Sequence, residues 1–547
     1  MKRFVWRRWA AGIAYIVVAA AAAAFGVASG TFAASDTDPY GYASQGELIA
    51  RGSIRLDLRF ALDMPWPDAD SAFVPPGFES SEPRGFAVPT YPTGLPAVMA
   101  LLQRLTGRRE AVFYAVPLLG AIAVWMTAWL GARLHNALTG FAAAVLLATS
   151  PSFLYQITQP VSDVPATAWW TASLALAIHP GTFSAFGAGT AASMAVLTRP
   201  NLVPIAALLG AYFAWDVWHP LSHTRRVALN RLTLFAAGVA PGCLAVAAIN
   251  HYLFGSTLTS GYGPLNELYV WKSVLPNLSR YTQWLVETET PLILLGFAFP
   301  WFWPGRRTGA QPDVIRTAPR EALLLLGCAL VVGGSYLPWG VFESWDFLRF
   351  LLPAFPPLIV LAVIVLSEGL RRLPWRRRAT AAMTIGLLAC WGGWQAREAL
   401  NRGATTLWQG ERRYLDVSRY ITFATPSQSA FIAGLHSGSI RYHAGRTTLN
   451  FGRLDGESLD TAIAALEEYG YRPYIVLEAG EEPAFRQRFG EHNSWGRLDW
   501  PPVSNTSRGV SVRIYDPADR DRFLAGEPIT TTDMLFLHRT ELIFPER

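Results

Sequence analysis

Acidic and basic side chains stand at the ends of apolar runs in this sequence, where charged residues are otherwise few. Asp36 and Asp38 follow the first run, and Asp163 opens a later one. Arg199 and Arg349 hold comparable positions further along the chain. A carboxylate can take a proton from an attacking hydroxyl, two carboxylates can coordinate a divalent cation, and a guanidinium can hold a phosphate through paired N–H donors. These residue types are those needed to move a group from a phosphate to an acceptor.

Composition places these residues in a membrane protein. The chain has 547 residues, of which 51% are hydrophobic and only 16% charged, whereas about 25% charged residues are usual in soluble domains. Lys and Arg number 46 against 40 Asp and Glu, an excess too small to favour nucleic-acid binding. The three cysteines all lie in apolar runs, which excludes a disulfide scaffold and argues against a cysteine metal site.

The apolar runs predict about eleven transmembrane helices, since about 20 apolar residues cross a bilayer and several runs are close to that length. The predicted spans are Trp9–Phe32, Val112–Leu130, Leu138–Leu154, Val164–Ile178, Phe183–Leu197, Leu202–Trp218, Leu232–Phe254, Pro291–Trp303, Ala322–Trp339, Leu348–Leu366 and Ala379–Trp394. A cleavable signal peptide is the alternative interpretation of the first run, but its apolar core is longer than the roughly 7 to 15 residues of such a segment. A retained helix is the prediction.

Basic residues cluster in alternate connections between these spans. They precede the first span and include Arg225 and Arg226, Arg306 and Arg307, and the group at 376–378. The positive-inside rule assigns these connections, and the N-terminus, to the cytoplasm. With eleven spans the segment from residue 397 onward is extracytoplasmic, and we expect a multi-pass protein of the bacterial inner membrane.

Two segments depart from the membrane pattern. Residues 34–110 form a long external loop, which belongs to a transmembrane domain at residues 1–396, with helices predicted around 42–49 and 95–105. Residues 397–547 predict a small C-terminal α/β domain, with strands at 430–433 and 474–477 around a helix at 458–469 that ends before Gly470. His436 and Ser437 have no identifiable acidic partner in the sequence, so the structural interpretation of this pair is favoured over a hydrolytic one.

The predicted topology brings the acids and arginines named above to the external face. Each alone has an ordinary explanation, because Asp-x-Asp is a common tripeptide and a charge at the end of a helix can cap or anchor it. Nucleotide sugars are kept in the cytoplasm, so an activated sugar outside it is normally attached to a polyprenyl phosphate. The expected donor is therefore a polyprenyl-phosphate sugar, with no nucleotide cofactor.

The motifs resemble the GT-C superfamily of integral-membrane glycosyltransferases, which includes protein O-mannosyltransferases and the lipid A aminoarabinose transferase. Asp38-Pro39-Tyr40-Gly41-Tyr42-Ala43 is similar to the acid and aromatic helix that follow the first span in that superfamily, and Ser162-Asp163-Val164-Pro165 to its second acidic site. The other similar segments are Tyr91-Pro92-Thr93-Gly94-Leu95-Pro96, Leu197-Thr198-Arg199-Pro200 and Arg349-Phe350-Leu351-Leu352-Pro353-Ala354. The resemblance covers roughly the first 370 residues in order and topology.

The resemblance implies a role for each matching residue. Asp38 would be the catalytic base and Asp163 a second acidic residue of the catalytic site, and either could ligate a divalent metal ion. Arg349 would contact the donor phosphate, with Arg199 and Arg84 as weaker candidates. The implied substrate-loop residues are Asp36, Tyr40, Tyr42, Glu82 and Tyr91. Two features depart from the superfamily pattern: Pro39 replaces the acid that often follows the first Asp, and Glu82-Pro83-Arg84 only loosely matches the Glu-Lys-Pro triplet of the aminoarabinose branch.

The resulting prediction is a glycosyltransferase that moves a sugar from a polyprenyl phosphate to a glycan, lipid or protein acceptor, by inverting displacement assisted by a general base. Nucleic acid is not an expected partner. Two alternatives stay open: a lipid or glycan transporter or flippase, and an assembly protein of the cell envelope with an inert acidic site. Polar residues clustered at one face, not at the middle of spans, argue against the transporter.

Overall fold

Helices make up most of the fold. The computed structural model describes residues 2–219, 224–302, 319–506, 509–536 and 539–545. The helices are α1 Lys2–Ala28, α2 Asp38–Ala50, α3 Ala69–Ala72, α4 Gly94–Thr106, α5 Ala115–Leu134, α6 Ala137–Thr149, α7 Pro151–Ile157, α8 Asp163–Ala177, α9 Thr182–Thr198, α10 Val203–Trp218, α11 Arg225–Phe254, α12 Leu265–Leu268, α13 Val274–Glu289, α14 Phe299–Phe302, α15 Pro319–Tyr336, α16 Phe355–Arg371, α17 Arg377–Asn401, α18 Leu407–Ala424, α19 His436–Ser439, α20 Leu459–Glu468, α21 Glu482–Phe489 and α22 Ala518–Leu524. The predicted cytoplasmic Arg306 and Arg307, and Trp303 of the eighth predicted span, lie outside the described residues.

Among the described residues, five helical segments are long and apolar enough to cross a membrane. They are Trp9–Ala28, Arg109–Leu134, Pro200–Trp218, Arg225–Phe254 and Trp345–Arg371. A sixth candidate is the pair α6 and α7, which is bent by 62° at Ser150, immediately before Pro151. Proline has no N–H for the helical bond and its ring clashes with the preceding turn, which explains the break.

The predicted count of about eleven spans is not confirmed. Helices α8 and α9 have 15 and 17 residues, fewer than the roughly 20 that a helix perpendicular to the bilayer needs. The apolar run of α15 begins beside Arg320 and Glu321, and that of α17 beside Arg377 and Arg378. A multi-pass membrane protein is thus supported, while the count of about eleven spans stays a prediction.

The chain divides into two compact units, each built from separate stretches of sequence. Unit 1 comprises residues 1–30, 92–98 and 113–406, and unit 2 comprises residues 31–91, 99–112 and 407–547. The sequence placed loop 34–110 with the transmembrane domain, whereas residues 31–91 pack in the same unit as the C-terminal residues. The predicted domain boundary at 396/397 lies ten residues before the end of unit 1 at Thr406.

Unit 2 contains two sheets. The strands are β1 Leu56–Asp57, β2 Phe78–Ser81, β3 Phe86–Pro89, β4 Ser429–Ala433, β5 Thr447–Asn450, β6 Arg472–Glu478, β7 Ser504–Thr506, β8 Val512–Tyr515, β9 Ile529–Asp533 and β10 Thr540–Ile543. The first sheet is antiparallel with order β1-β3-β2, and the second is mixed with order β10-β9-β7-β8-β6-β4-β5. Strand β4 is parallel to both β5 and β6.

The secondary structure predicted for the C-terminal domain is confirmed. Strands β4 and β6 and helix α20 coincide with the predicted elements within two residues at each end. Gly470 has φ of +81°, a left-handed conformation that glycine adopts without a Cβ clash and that ends helices. The helices predicted around 42–49 and 95–105 are also present, as α2 and α4.

Within unit 2, side chains from residues beyond 407 hold the early loop, which comprises residues 31–91. The Nη1 of Arg441 donates to the Phe73 carbonyl at 3.3 Å, across 368 residues of sequence. The Nη2 of Arg453 donates to the Phe78 carbonyl at 3.0 Å and to the Glu79 carboxylate at 3.1 Å. The early loop is therefore held in place by hydrogen bonds from residues beyond 407.

Candidate functional site

The first acidic site lies at the start of α2. Asp38 is the first residue of that helix and Pro39 follows it, a position where proline is favoured because its missing N–H would have no partner. An acid in the first turn is also stabilised by the helix dipole. Tyr91 donates its hydroxyl to Asp38 Oδ1 at 2.5 Å. The carboxylate is thus held at a fixed helix end by a residue 53 positions away.

Close packing fixes Tyr91. Its ring lies 4.6 Å from that of Tyr42 between centroids, and a Cβ added to Gly41 would come within 2.2 Å of Tyr91 Cε2. Only glycine at position 41 leaves room for the ring. Tyr40, Tyr42 and Tyr91, three of the predicted substrate-loop residues, are all buried. Tyr91 bonds to Asp38, and Tyr42 packs on the ring of Tyr91.

The remaining predicted loop residues make contacts of their own. Asp36 is exposed and accepts from the Thr37 hydroxyl at 3.1 Å, and Glu82 is exposed before a cis peptide bond to Pro83. Arg84 donates to Asp70 Oδ1 at 2.5 Å. Burial opposes ionisation of Asp70, but the hydrogen bond and charge of Arg84 outweigh it and lower the pKa of this carboxyl. Arg84 thus serves as the counter-ion of Asp70.

The second acidic site lies within unit 1. Asp163 opens α8, Arg199 follows the last residue of α9, and Arg349 lies on the 3₁₀ segment Trp345–Ala354. Asp163 is 1% exposed and Arg199 8%. Asp163 Oδ1 lies 2.5 Å from Arg199 Nη2, and Oδ2 lies 3.9 Å from Arg349 Nη1. Three residues that the sequence predicted for the site therefore meet here.

Arg199 uses all three guanidinium nitrogens inside this cluster. Besides the bond to Asp163, its Nε donates to Ser162 Oγ at 3.2 Å and its Nη1 to the Tyr336 hydroxyl at 2.8 Å. Arg349 lies over the rings of Phe347 and Phe350, 5.2 and 5.5 Å from their centroids. Arg199 is thus bound entirely by the protein, and Arg349 makes the longer contact to the carboxylate.

Gly94 explains one motif of the sequence. A Cβ at this position would lie 2.4 Å from the backbone nitrogen of Thr198, the residue just before Arg199. The start of α4 therefore lies so close to the end of α9 that a Cβ at position 94 would clash. A glycine is required there by this contact, whatever else the Tyr91–Pro96 motif does.

The residues present do not fit a metal ion at Asp163. Oδ1 accepts from Arg199 Nη2, and Oδ2, which has no hydrogen bond among the described residues, lies 3.9 Å from Arg349 Nη1. A divalent cation at this carboxylate would be repelled by the two positive charges. Within the described ranges no group of three or more His, Cys, Asp or Glu side chains is arranged to hold a metal. At Asp38, one of the oxygens already accepts from Tyr91.

The sequence missed the partner of His436. The structure supplies Glu478, whose Oε1 lies 3.1 Å from His436 Nε2 and accepts from Arg413 Nε at 2.8 Å. Strands β4 and β6 are parallel neighbours, so their carboxyl ends meet at one sheet edge, and this order could have revealed the pair. His436 is 0% exposed, and this burial favours a structural role for His436 and Ser437 over a hydrolytic one.

One family model matches the first part of the chain. Residues 9–160 match the sequence model of the family described as oligosaccharyl transferase STT3, N-terminal. No curated protein matches the chain significantly. The matched residues include Asp38 and Tyr91 and end just before Asp163.

Solved structures share the fold over most of their length. ArnT from Cupriavidus metallidurans bound to undecaprenyl phosphate is 14% identical, with a TM-score of 0.51, and the match covers 91% of this chain and 97% of that one. The Archaeoglobus fulgidus oligosaccharyltransferase in the apo form is 10% identical, with a TM-score of 0.53 and coverage of 91% and 74%. The same organism's AglB, in complex with an inhibitory peptide and a dolichol-phosphate, is 11% identical with a TM-score of 0.51 and coverage of 89% and 72%. The resemblance to GT-C glycosyltransferases predicted from the sequence is confirmed.

Proposed function

We propose that this chain, which has the fold of the GT-C glycosyltransferases, transfers a sugar from a polyprenyl-phosphate donor to an extracytoplasmic acceptor. The observation that carries the proposal is the Asp38 carboxylate, held by Tyr91 at the start of α2 in a fold whose solved examples bind undecaprenyl phosphate or dolichol-phosphate. The protein would lie in a bacterial inner membrane, with its N-terminus in the cytoplasm and residues from 397 onward outside.

In the proposed reaction Asp38 acts as the general base. The acceptor hydroxyl gives its proton to the Asp38 carboxylate while its oxygen attacks the anomeric carbon of the donor. The bond between that carbon and the phosphate oxygen breaks, and polyprenyl phosphate leaves with the electron pair. A single displacement of this kind inverts the anomeric configuration.

Arg349 is the proposed contact for the leaving phosphate. A guanidinium can donate two parallel N–H bonds to a phosphate and stabilises charge as it develops. Two arginines and one carboxylate leave the Asp163 cluster with one positive charge, which suits an anionic group. Arg199, whose three nitrogens bind Ser162, Asp163 and Tyr336, is the weaker phosphate candidate.

The test supplies purified protein with a panel of polyprenyl-phosphate sugars and follows loss of the sugar by mass spectrometry. Asp38→Asn should lower transfer by roughly 10²- to 10⁴-fold, the usual contribution of a general base. Asp63→Asn is the matched control, because Asp63 is an exposed acid of the same unit, and it should transfer near the wild-type rate.

Two outcomes would contradict the proposal. Near-normal transfer by Asp38→Asn would remove this residue from the base role. Movement of intact donor across a vesicle membrane, with the sugar still attached to the phosphate, would instead support the transporter alternative.

A further inference from the structure

Asp163 is of a residue type that can ligate a metal ion, but the groups beside its carboxylate are two guanidinium groups. Its two oxygens lie 2.5 Å from Arg199 Nη2 and 3.9 Å from Arg349 Nη1. The carboxylate is 1% exposed. Magnesium and similar cations need about six oxygen ligands, whereas here Oδ1 accepts from Arg199 Nη2, and Oδ2, which has no hydrogen bond among the described residues, faces the second guanidinium.

Hydrogen bonds and aromatic rings hold the Arg199 guanidinium in place. Its other nitrogens donate to Ser162 Oγ and to the Tyr336 hydroxyl, and its guanidinium lies 5.7 and 5.4 Å from the ring centroids of Tyr336 and Phe350. These two rings stack on each other, with centroids 5.1 Å apart and planes 8° apart. Displacing Arg199 from Asp163 would require breaking charge-assisted bonds in a buried site, where they are strong.

The backbone also holds Arg199 at this position. The residue follows α9 directly and precedes Pro200, whose ring fixes the backbone that leaves the turn. Because Gly94 has no Cβ, the start of α4 can lie against Thr198. The guanidinium is therefore placed by backbone geometry as well as by its hydrogen bonds.

We infer that Arg199 is a positioning residue whose guanidinium takes the place of a divalent cation at Asp163. In this arrangement Asp163 orients Arg349 toward the leaving phosphate, and transfer needs no metal ion bound to this carboxylate. The inference rests on the proposed function for its catalytic part. Its structural part, that Asp163 holds a guanidinium and not a cation, can be measured without any turnover.

The experiment measures Mn²⁺ binding by electron paramagnetic resonance, using the purified full chain and three variants. Wild-type protein and Asp163→Asn should bind the same amount of Mn²⁺, because Arg199 blocks the carboxylate. Arg199→Ala should bind more, and Arg199→Ala combined with Asp163→Asn should lose the gain. A wild-type Mn²⁺ site that Asp163→Asn abolishes would overturn the inference, and this comparison does not depend on whether Arg199→Ala folds.

Transfer assays supply the second readout. Chelation with EDTA should leave wild-type transfer unchanged, whereas Arg199→Ala should lower kcat by about 100-fold through misplacement of Arg349. Arg199→Lys keeps the charge but not the three bonds, and should restore part of that loss. If EDTA abolishes transfer and Mn²⁺ restores it through Asp163, the inference fails while the proposed function stands. If no donor sugar is transferred by the wild type, the proposed function fails, and the Mn²⁺ comparison still decides the role of Arg199.

Discussion

At the residue scale, the hydrogen bond from Tyr91 to Asp38 links a buried ring to the proposed base. The ring is fixed by Tyr42 and by the close approach of Gly41, and its hydroxyl accordingly reaches one carboxylate oxygen at 2.5 Å. A base that is oriented before the acceptor arrives loses less freedom during reaction.

Tyr91→Phe should therefore lower kcat more than it changes KM. Hydrogen bonds to charged groups contribute about 1.5–3 kcal/mol, which corresponds to a loss of roughly 10- to 100-fold if the bond is made in the transition state. Steady-state kinetics with the donor identified by mass spectrometry would measure this. Tyr471→Phe, a substitution of the same kind elsewhere in unit 2, is the control, and an unchanged kcat in Tyr91→Phe would contradict the orienting role.

His443 should make stability depend on pH. Burial, with the nearby charges of Arg109 and Arg419, lowers the pKa of His443 from 6.5 to about 4, and its neutral Nε2 accepts from the Ala34 backbone N–H at 2.9 Å. The folded state binds this proton less readily than the unfolded chain, so the contribution is complete above pH 6.5 and is lost as the pH falls toward 4. The loss amounts to up to about 3 kcal/mol.

Thermal unfolding in detergent, followed from about pH 7.5 to about pH 4.5, would measure this dependence. His443→Gln keeps an acceptor but does not titrate, so its melting temperature should fall less over the same interval. Parallel curves for the two proteins would contradict the assignment.

The residues of the second acidic site were predictable as types but not as a network. Asp163, Arg199 and Arg349 stand out in the sequence because charges at the ends of apolar runs are rare. Tyr336 and Ser162 do not stand out, since a tyrosine at the end of a span and a serine before a helix have ordinary roles. Only the structure shows that the Ser162 and Tyr336 hydroxyls accept hydrogen bonds from Arg199.

At the element scale, the bend between α6 and α7 is secured by one buried carboxylate. Glu289, the last residue of α13, accepts from Ser150 Oγ at 2.7 Å and from Gln395 Nε2 at 2.5 Å. Its backbone carbonyl accepts from Trp391 Nε1 at 2.8 Å. One residue thus joins the bend to α13 and α17.

Glu289→Ala should lower stability markedly. It leaves the buried donors of Ser150 and Gln395 without this acceptor, at a cost of about 1–3 kcal/mol each. The melting temperature in detergent would report the change. Glu287→Ala is the matched control, because Glu287 is an exposed acid on the same helix, and its effect should stay within about 0.5 kcal/mol. Equal melting temperatures for the two variants would contradict the role of Glu289.

The bend between α6 and α7 was not predicted from the apolar run. The sequence predicted one helix over Leu138–Leu154, because apolar residues predominate on both sides of Ser150. Pro151 divides it, and whether a proline kinks a helix or ends it depends on the partners available to the freed backbone groups. The supporting residue, Glu289, is more than a hundred positions away and is invisible to a local pattern.

At the scale of the whole molecule, the sequence gives the order of the elements more readily than their grouping. The C-terminal strands and helix were predictable because each has its own period and its own end signals. The membership of residues 31–91 in unit 2 was not, because it depends on contacts made by Arg441 and Arg453.

These contacts predict how the early loop resists proteolysis. Replacing both Arg441 and Arg453 with alanine removes hydrogen bonds to the Phe73 and Phe78 carbonyls, each contributing about 1 kcal/mol. Local opening should then increase, and trypsin should cut between residues 51 and 84 at least about tenfold faster. Mass spectrometry of the fragments would measure the rate. Arg446→Ala, which loses only bonds to Thr425 and Ala444, is the control, and equal rates would contradict the prediction.

The interleaving of the two units has a consequence for biosynthesis. Phe73 leaves the ribosome 368 residues before Arg441, its partner. At about 5–20 residues per second this interval lasts roughly 20 to 70 seconds. Throughout it, residues 31–91, which carry the proposed base, lack the hydrogen bond from Arg441. A nonsense mutation ahead of codon 441 would therefore remove a partner of the segment that carries the proposed base, although that segment itself is encoded intact.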